Sequence, residues 1–183
     1  MIKIQVEFFI VAIIAAIPVY LLLRMPWLKH DKREWFLGAF WIYMFALGVL
    51  VFRGATIPAE NYFETLGERI REGYMINLVP LRTIRGYFSI QGSDSYYVNI
   101  IGNIVMFIPL GFGLPLLWRR MHNFFRFNAT ILLIPVMIEL IQLFIWRSVD
   151  VDDVLLNFIG GAIGGLLCAL VRLVSRKARD LAR

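Results

Sequence analysis

The chain has 183 residues, 60% of them hydrophobic and 17% charged, with mean hydropathy +0.71 and a formal net charge of +6. Soluble domains average about 45–50% apolar and about 25% charged residues, so this composition excludes an ordinary soluble globule and points to a chain solvated by lipid. The single cysteine, Cys168, excludes an internal disulfide and a cysteine-built metal framework, while Lys and Arg interleaved with apolar spans point to membrane headgroups and away from nucleic acid.

About 20 apolar residues cross ~30 Å of hydrocarbon, and five stretches meet that length: approximately residues 4–23, 35–52, 99–118, 128–146 and 153–174. They predict an all-α fold, a polytopic membrane helix bundle with about five transmembrane helices and a partly helical outer loop. No internal repeat or second domain is visible, so residues 1–183 read as a single membrane domain. The first span lies where a signal peptide would and contains Ala15 and Ala16. Its apolar run is too long for one, and Lys3 is its only preceding basic residue, so it reads as a retained helix.

Loop charges orient the bundle. Arg24, Lys29, Lys32 and Arg33 separate the first two spans, and Arg119, Arg120 and Arg126 lie between the third and fourth. Arg172, Arg176, Lys177, Arg179 and Arg183 close the chain. Short loops rich in Lys and Arg stay cytoplasmic. The expected topology therefore has the N-terminus outside, the C-terminus cytoplasmic, and both residues 53–98 and the acidic turn 147–152 outside.

The outer segment 53–98 carries its own pattern. Glu60, Glu64, Glu68 and Glu72 recur every four residues, with Phe63, Leu66 and Ile70 on another face. This predicts an amphipathic helix, lying at the interface or across the mouth of the bundle. Residues 76–88 are apolar but broken by Pro80 and punctuated by Arg82 and Arg85. That stretch is too short to span and is expected to dip into the bundle or cap it. Residues 92–97 read as a turn placing Tyr96 and Tyr97 at interface level.

Polar residues inside or beside the spans are the candidate site. Asn99 and Asn103 share a helix face at i and i+4, as do Asp153 and Asn157. Glu139 lies seven residues before Trp146, ~10 Å below the outer surface, with Gln142 on its face. Glu7 stands near the outer end of the first span. All fall in the outer half, which predicts an outward-facing polar cavity. Glu139, Asp153 and Asp152 are the candidate catalytic groups. Asn99, Asn103, Gln142, Arg147, Asp150, Asn157 and Arg82 are the candidate ligand-binding groups.

Plainer roles compete with these. Asn99 and one of the aspartates suit helix N-termini, Gln142 suits a helix-helix bond, and Arg147, Arg82 and Arg85 suit headgroups. A carboxylate as deep as Glu139 needs a counter-charge, a metal or a proton. Clustered carboxylates and Asn side chains suit a hard divalent cation such as Mg²⁺ or Ca²⁺. They equally suit acid-base work on a substrate whose phosphate Arg147 and Arg82 hold. No Ser-His-Asp, HExxH or P-loop pattern occurs. His30 and His122 sit in basic loops without an expected role, and Cys168 reads as a packing residue. Gly160 with Gly164, and Gly161 with Gly165, form overlapping G-x-x-x-G pairs for close helix approach. Pro109, Gly111, Gly113 and Pro115 predict a kinked, irregular third span.

Three blocks carry a family resemblance: NLVPLRTI at 77–84, N-x-x-G-N-x-x-x-F-x-P-x-G from Asn99 to Gly111, and E-x-x-Q…R-x-x-D-x-D-D-x-x-x-N-x-x-G from Glu139 to Gly160. In this order, over roughly the last two-thirds of the chain, they resemble the VanZ-like family, with Leu81 standing where Phe is more usual. The resemblance implies a small polytopic protein of the bacterial cell membrane, whose namesake is associated with teicoplanin resistance in a glycopeptide-resistance gene cluster. It supplies no reaction and no cofactor. Teicoplanin acts outside the cell on peptidoglycan precursors and carries an acyl chain. The implied partners are therefore membrane lipids and a lipid-linked cell-wall precursor or lipoglycopeptide. The leading expectation is a protein that binds or modifies such a component. A membrane hydrolase or transferase on a phosphate-bearing lipid is the alternative. Transport is disfavoured by the absence of a repeat and of polar groups in the inner half.

Overall fold

The computed structural model describes residues 2–3, 17–18, 20–22, 31–52, 56–57, 61–73, 76–89 and 94–175. Six α-helices of eight residues or more stand in these segments: α1 Lys32–Val51, α2 Tyr62–Glu72, α3 Arg82–Ser89, α4 Asp94–Leu117, α5 Phe124–Phe144 and α6 Val151–Val174. Four two-residue strands accompany them: β1 Ile2–Lys3, β2 Thr56–Ile57, β3 Ile76–Asn77 and β4 Val149–Asp150. Among the described residues, α1, the Asn99–Leu117 part of α4, α5 and α6 are long and apolar enough to cross a membrane. The chain folds as an all-α membrane bundle. Its lipid-facing surface carries side chains such as Leu133, Leu140, Phe144, Ile159 and Leu166, all exposed.

Capping residues set the helix starts. Asp31 accepts from the Arg33 N–H at 3.0 Å, Asn123 from the Arg126 N–H at 3.0 Å, and Asp150 from the Asp152 N–H at 2.9 Å. Hence α5 begins four residues earlier than hydropathy suggests, at Phe124 rather than near residue 128. Pro109 and Pro115 lie within α4, yet it is one continuous helix where an irregular span is expected.

The expected first span, 4–23, lies outside the described residues except near its end, but both of its flanks can be located. β1 pairs antiparallel with β2, just beyond the C-terminal end of α1. Tyr20 donates its hydroxyl to the Glu34 carbonyl, at the other end of α1, and its ring covers Gly38. The two flanks thus lie at opposite ends of a 20-residue helix, ~30 Å long.

Glycines set the central packing. A Cβ on Gly160 would collide with the Ile104 carbonyl, one on Gly164 with the Ile108 carbonyl, and one on Gly111 with the Gly161 carbonyl. α4 and α6 therefore cross with their backbones in contact. On the flank of α6, Gly161 meets Ile131 and Gly165 meets the Phe127 ring, both from α5. On the flank of α4, the Phe40 ring of α1 fills the space over Gly113 and packs edge-on against Trp118. Phe107, Leu110 and Ile131 are fully buried at the centre.

The ends of the bundle differ in chemistry. At one end α1 and α5 finish while α4 and α6 begin, and the polar side chains collect there. At the other end, the side chains of Arg33 and His122 close the C-terminus of α4. Arg33 donates to the Leu117 carbonyl at 3.2 Å, and the His122 ring bonds the Pro115 carbonyl at 2.9 Å. These carbonyls have no partner in the next helical turn, so His122 gains a capping role that its loop position concealed.

The crossing gives a direct test. Gly164→Val should cost about 1–3 kcal/mol by overpacking against backbone, whereas Gly102→Ala, which meets nothing within 4 Å, should be tolerated. Thermal unfolding of the detergent-purified variants measures both. Equal melting temperatures would contradict the close crossing.

Candidate functional site

The polar end is assembled around residues 150–153. β3 lies parallel to β4, with Ile76 opposite Val149 and Asn77 opposite Asp150. This pairing brings segment 76–89 onto the start of α6. The Asp150 N–H donates to Glu139 Oε2 at 2.9 Å. One Asp150 carboxylate oxygen caps α6 and accepts from Asn77 Nδ2 at 2.9 Å, while the other accepts from the Thr83 hydroxyl. Asn77 also donates to Thr83 Oγ1 at 3.0 Å and accepts from the Val79 N–H at 3.2 Å.

Asp152 is fully buried. One of its oxygens accepts from the Leu81 N–H, and the other from the N–H groups of Thr83 at 2.8 Å and Ile84 at 3.1 Å. These donors form the first turn of α3, where N–H groups lack intrahelical partners and the helix dipole favours a negative charge. A tight turn presents them: the Arg82 N–H closes onto the Val79 carbonyl at 3.3 Å, with Pro80 second in the turn and Leu81 third at φ +65°. That is the type II pattern, whose third position usually needs glycine. Leu81 therefore holds a strained conformation, and its N–H is directed at Asp152.

Below this clasp lies a second group. Asn103 Nδ2 donates to Asp153 Oδ1 at 2.7 Å and lies 3.4 Å from Asn99 Oδ1, so α4 and α6 are bridged by the side chains expected to share a face. Glu139 is 5% exposed, and its one hydrogen bond to a described residue is that from Asp150. Asn157 is 4% exposed, and its Oδ1 has no hydrogen-bond partner among the described residues. It lies on α6 between Asp153, bonded to Asn103, and Gly160, on which the Ile104 carbonyl rests. Arg147 is near enough to Glu139 and Asp153 to attract both carboxylates.

Other predicted groups stand apart. Gln142 is buried and donates to the Val51 carbonyl at 3.2 Å, joining α5 to the last residue of α1. Arg82 and Arg85 are exposed on α3, and their side chains bond no described residue. Glu7 lies outside the described residues. Among the described residues no three His, Cys, Asp or Glu side chains form a group able to hold a metal ion.

Three participants carried no expected role. Asn77 and Thr83 belong to the NLVPLRTI block, and their signal was that two side chains with hydrogen-bonding capacity interrupt an otherwise apolar run. Arg69 gave no such signal among the charges of α2. It is 5% exposed, donates to the Arg147 carbonyl and stacks over Trp146, 5.7 Å from the ring centre. The inward face of α2 is thus Leu66 and Arg69, while Phe63 and Ile70 point outward.

All three sequence blocks converge on this one end of the bundle. Residues 40–172 match the family model described as VanZ/LLP1. The chain belongs to the VanZ/LLP1 family. No curated protein and no solved structure matches it. In this VanZ-like protein the matched region includes the Asp150–Asp152 clasp, the Asn103–Asp153 bridge and the glycine crossing that aligns them.

Asp152→Asn should loosen the clasp, because an amide places N–H groups against the N–H groups of α3. Hydrogen bonds to a charged group are worth about 1.5–3 kcal/mol, so amide hydrogen exchange at 81–84 should quicken by about tenfold or more. Unchanged protection there would show that Asp152 does not hold the segment.

Proposed function

We propose that the polar end of this VanZ-like membrane protein faces the outside of a bacterial cell and binds a lipid-linked envelope component, lowering susceptibility to teicoplanin-type glycopeptides. The observation that carries this reading is the acceptor capacity left over at the polar end. Glu139 and Asp153 each keep one oxygen without a hydrogen bond to a described residue, and Asn157 Oδ1 has no partner. A buried polar atom such as Asn157 Oδ1 normally finds a partner, and acceptors left over at this end suit a ligand that brings N–H and O–H donors, as sugars and peptides do. Arg82 and Arg85, exposed on the docked segment, suit its phosphate. Asp150 and Asp152 hold that segment in place. The family's namesake supplies the phenotype, and the Lys- and Arg-rich opposite end supplies the orientation.

A catalytic reading is favoured by one feature, the neighbouring Glu139 and Asp153 carboxylates with a free oxygen each. Such a pair suits acid-base chemistry on a phosphate-bearing lipid. Release of product by purified protein would establish it, and intact lipid would leave binding.

Glu139→Gln and Asp153→Asn, expressed at wild-type levels in a susceptible host, should each abolish the added teicoplanin resistance. They should also weaken retention of a purified lipid-linked precursor by ~10-fold, as loss of a charged hydrogen bond predicts. Wild-type resistance in both variants would overturn the site. For orientation, a cysteine at Glu68, in a Cys168→Ala background, should react with an impermeant maleimide on whole cells. One at Arg120 should react only after lysis, and the reverse result would invert the topology.

A further inference from the structure

At the basic end, a groove of about 410 Å³ opens between the start of α5 and the end of α6. We propose that it binds one anionic phospholipid, with the phosphate on Arg172 and an acyl chain along the apolar wall. The inference is independent of the polar end, because it uses none of those residues and neither orientation of the bundle.

Arg172 carries the argument. It lies in the last turn of α6 and lines the groove, and its Nε is shut off from solvent with no hydrogen-bond partner among the described residues. A buried guanidinium N–H without an acceptor is unfavourable, and an entering phosphate oxygen satisfies it. The other polar side chains of the lining are already engaged: His122 on the Pro115 carbonyl, Asn128 on the Phe124 carbonyl. Among the described residues no carboxylate lines the groove. The first turn of α5 adds positive potential, since Asn123 caps the Arg126 N–H and leaves the preceding N–H groups at that end.

The rest of the lining suits a chain. Phe127, Leu166 and Ala169 form an apolar wall, continued on the lipid-facing surface by Phe124, 72% exposed, and Phe125, 79% exposed. Arg119, Arg120 and Arg126 stand at the same end. They favour a headgroup of net negative charge over a zwitterionic one.

Native mass spectrometry of the full chain in mild detergent tests the site. Wild-type protein should retain one phosphatidylglycerol at least ~10-fold better than phosphatidylcholine. Arg172→Gln should lose that preference. Ala169→Trp, which fills the groove and leaves Arg172 in place, should lose the bound lipid, and Arg71→Gln, exposed on α2 at the opposite end, should behave as wild type. Equal retention by Arg172→Gln and wild type, or equal binding of phosphatidylcholine, would overturn the proposal. Displacement of the lipid by equimolar inorganic phosphate would do the same, since it would show that the chain adds nothing. If Arg172→Gln does not fold, undiminished lipid binding by Ala169→Trp is the overturning result.

Discussion

The buried Asp152 carboxylate and the first turn of α3 depend on each other, and the polar end depends on both. An acidic side chain at the centre of a membrane helix costs roughly 2.5–3.5 kcal/mol on insertion scales, and the first N–H groups of a helix have no partners of their own. Joined, each removes the other's deficit through three hydrogen bonds. An eight-residue helix is too short to persist unaided. It forms here because a fixed carboxylate organises its first turn, with Asp150, Asn77 and Thr83 closing the segment laterally.

That clasp would have no fixed position without the glycine crossing. α4 and α6 approach until backbone touches backbone at Gly160, Gly164 and Gly111, and only then does Asn103 reach Asp153 at 2.7 Å. Packing between small residues, rather than polar attraction, sets the spacing of helices in lipid, since apolar burial gains little there. The polar bonds then select the register that the crossing permits. Glycines in one half of α6 thereby determine geometry at its other end.

Much of this was legible in the residues. Four of the long helices follow from apolar length, and the i, i+4 spacing put Asn99 with Asn103 and Asp153 with Asn157 on one face of their helices, of which Asn103 and Asp153 meet. Ends were misjudged where a cap outranks hydropathy, as at Asn123. The prolines and glycines of α4 were read as making a kinked, irregular span, whereas a helix packed along its length against α6 continues through them. What could not be read was the division of labour among the acids. Asp150, Asp152 and Asp153 look alike in sequence, yet Asp152 spends both oxygens on backbone and Asp150 both on capping and side chains, whereas Asp153 keeps one. Partners from residues 77–84 decide this, some 70 positions away, and no local pattern reports them. The same distance hid Arg69, whose acceptor is the Arg147 carbonyl.

The division narrows the chemistry. With Asp150 and Asp152 engaged, the acceptors still available are single oxygens of Glu139, Asp153 and Asn157, two from α6 and one from α5, with Arg147 on the intervening turn. A divalent cation needs several converging oxygens, and among the described residues the acids do not converge in that way. Donor-rich ligands need only separated acceptors at fixed spacing, which two rigid helices provide. Arg147, which attracts both Glu139 and Asp153, also limits how much negative charge the site tolerates losing: replacing either carboxylate by an amide removes one of these attractions. The same turn that joins α5 to α6, held in a left-handed conformation at Trp146 (φ +60°), therefore sets both the position of the cation and the balance of charge that a ligand meets.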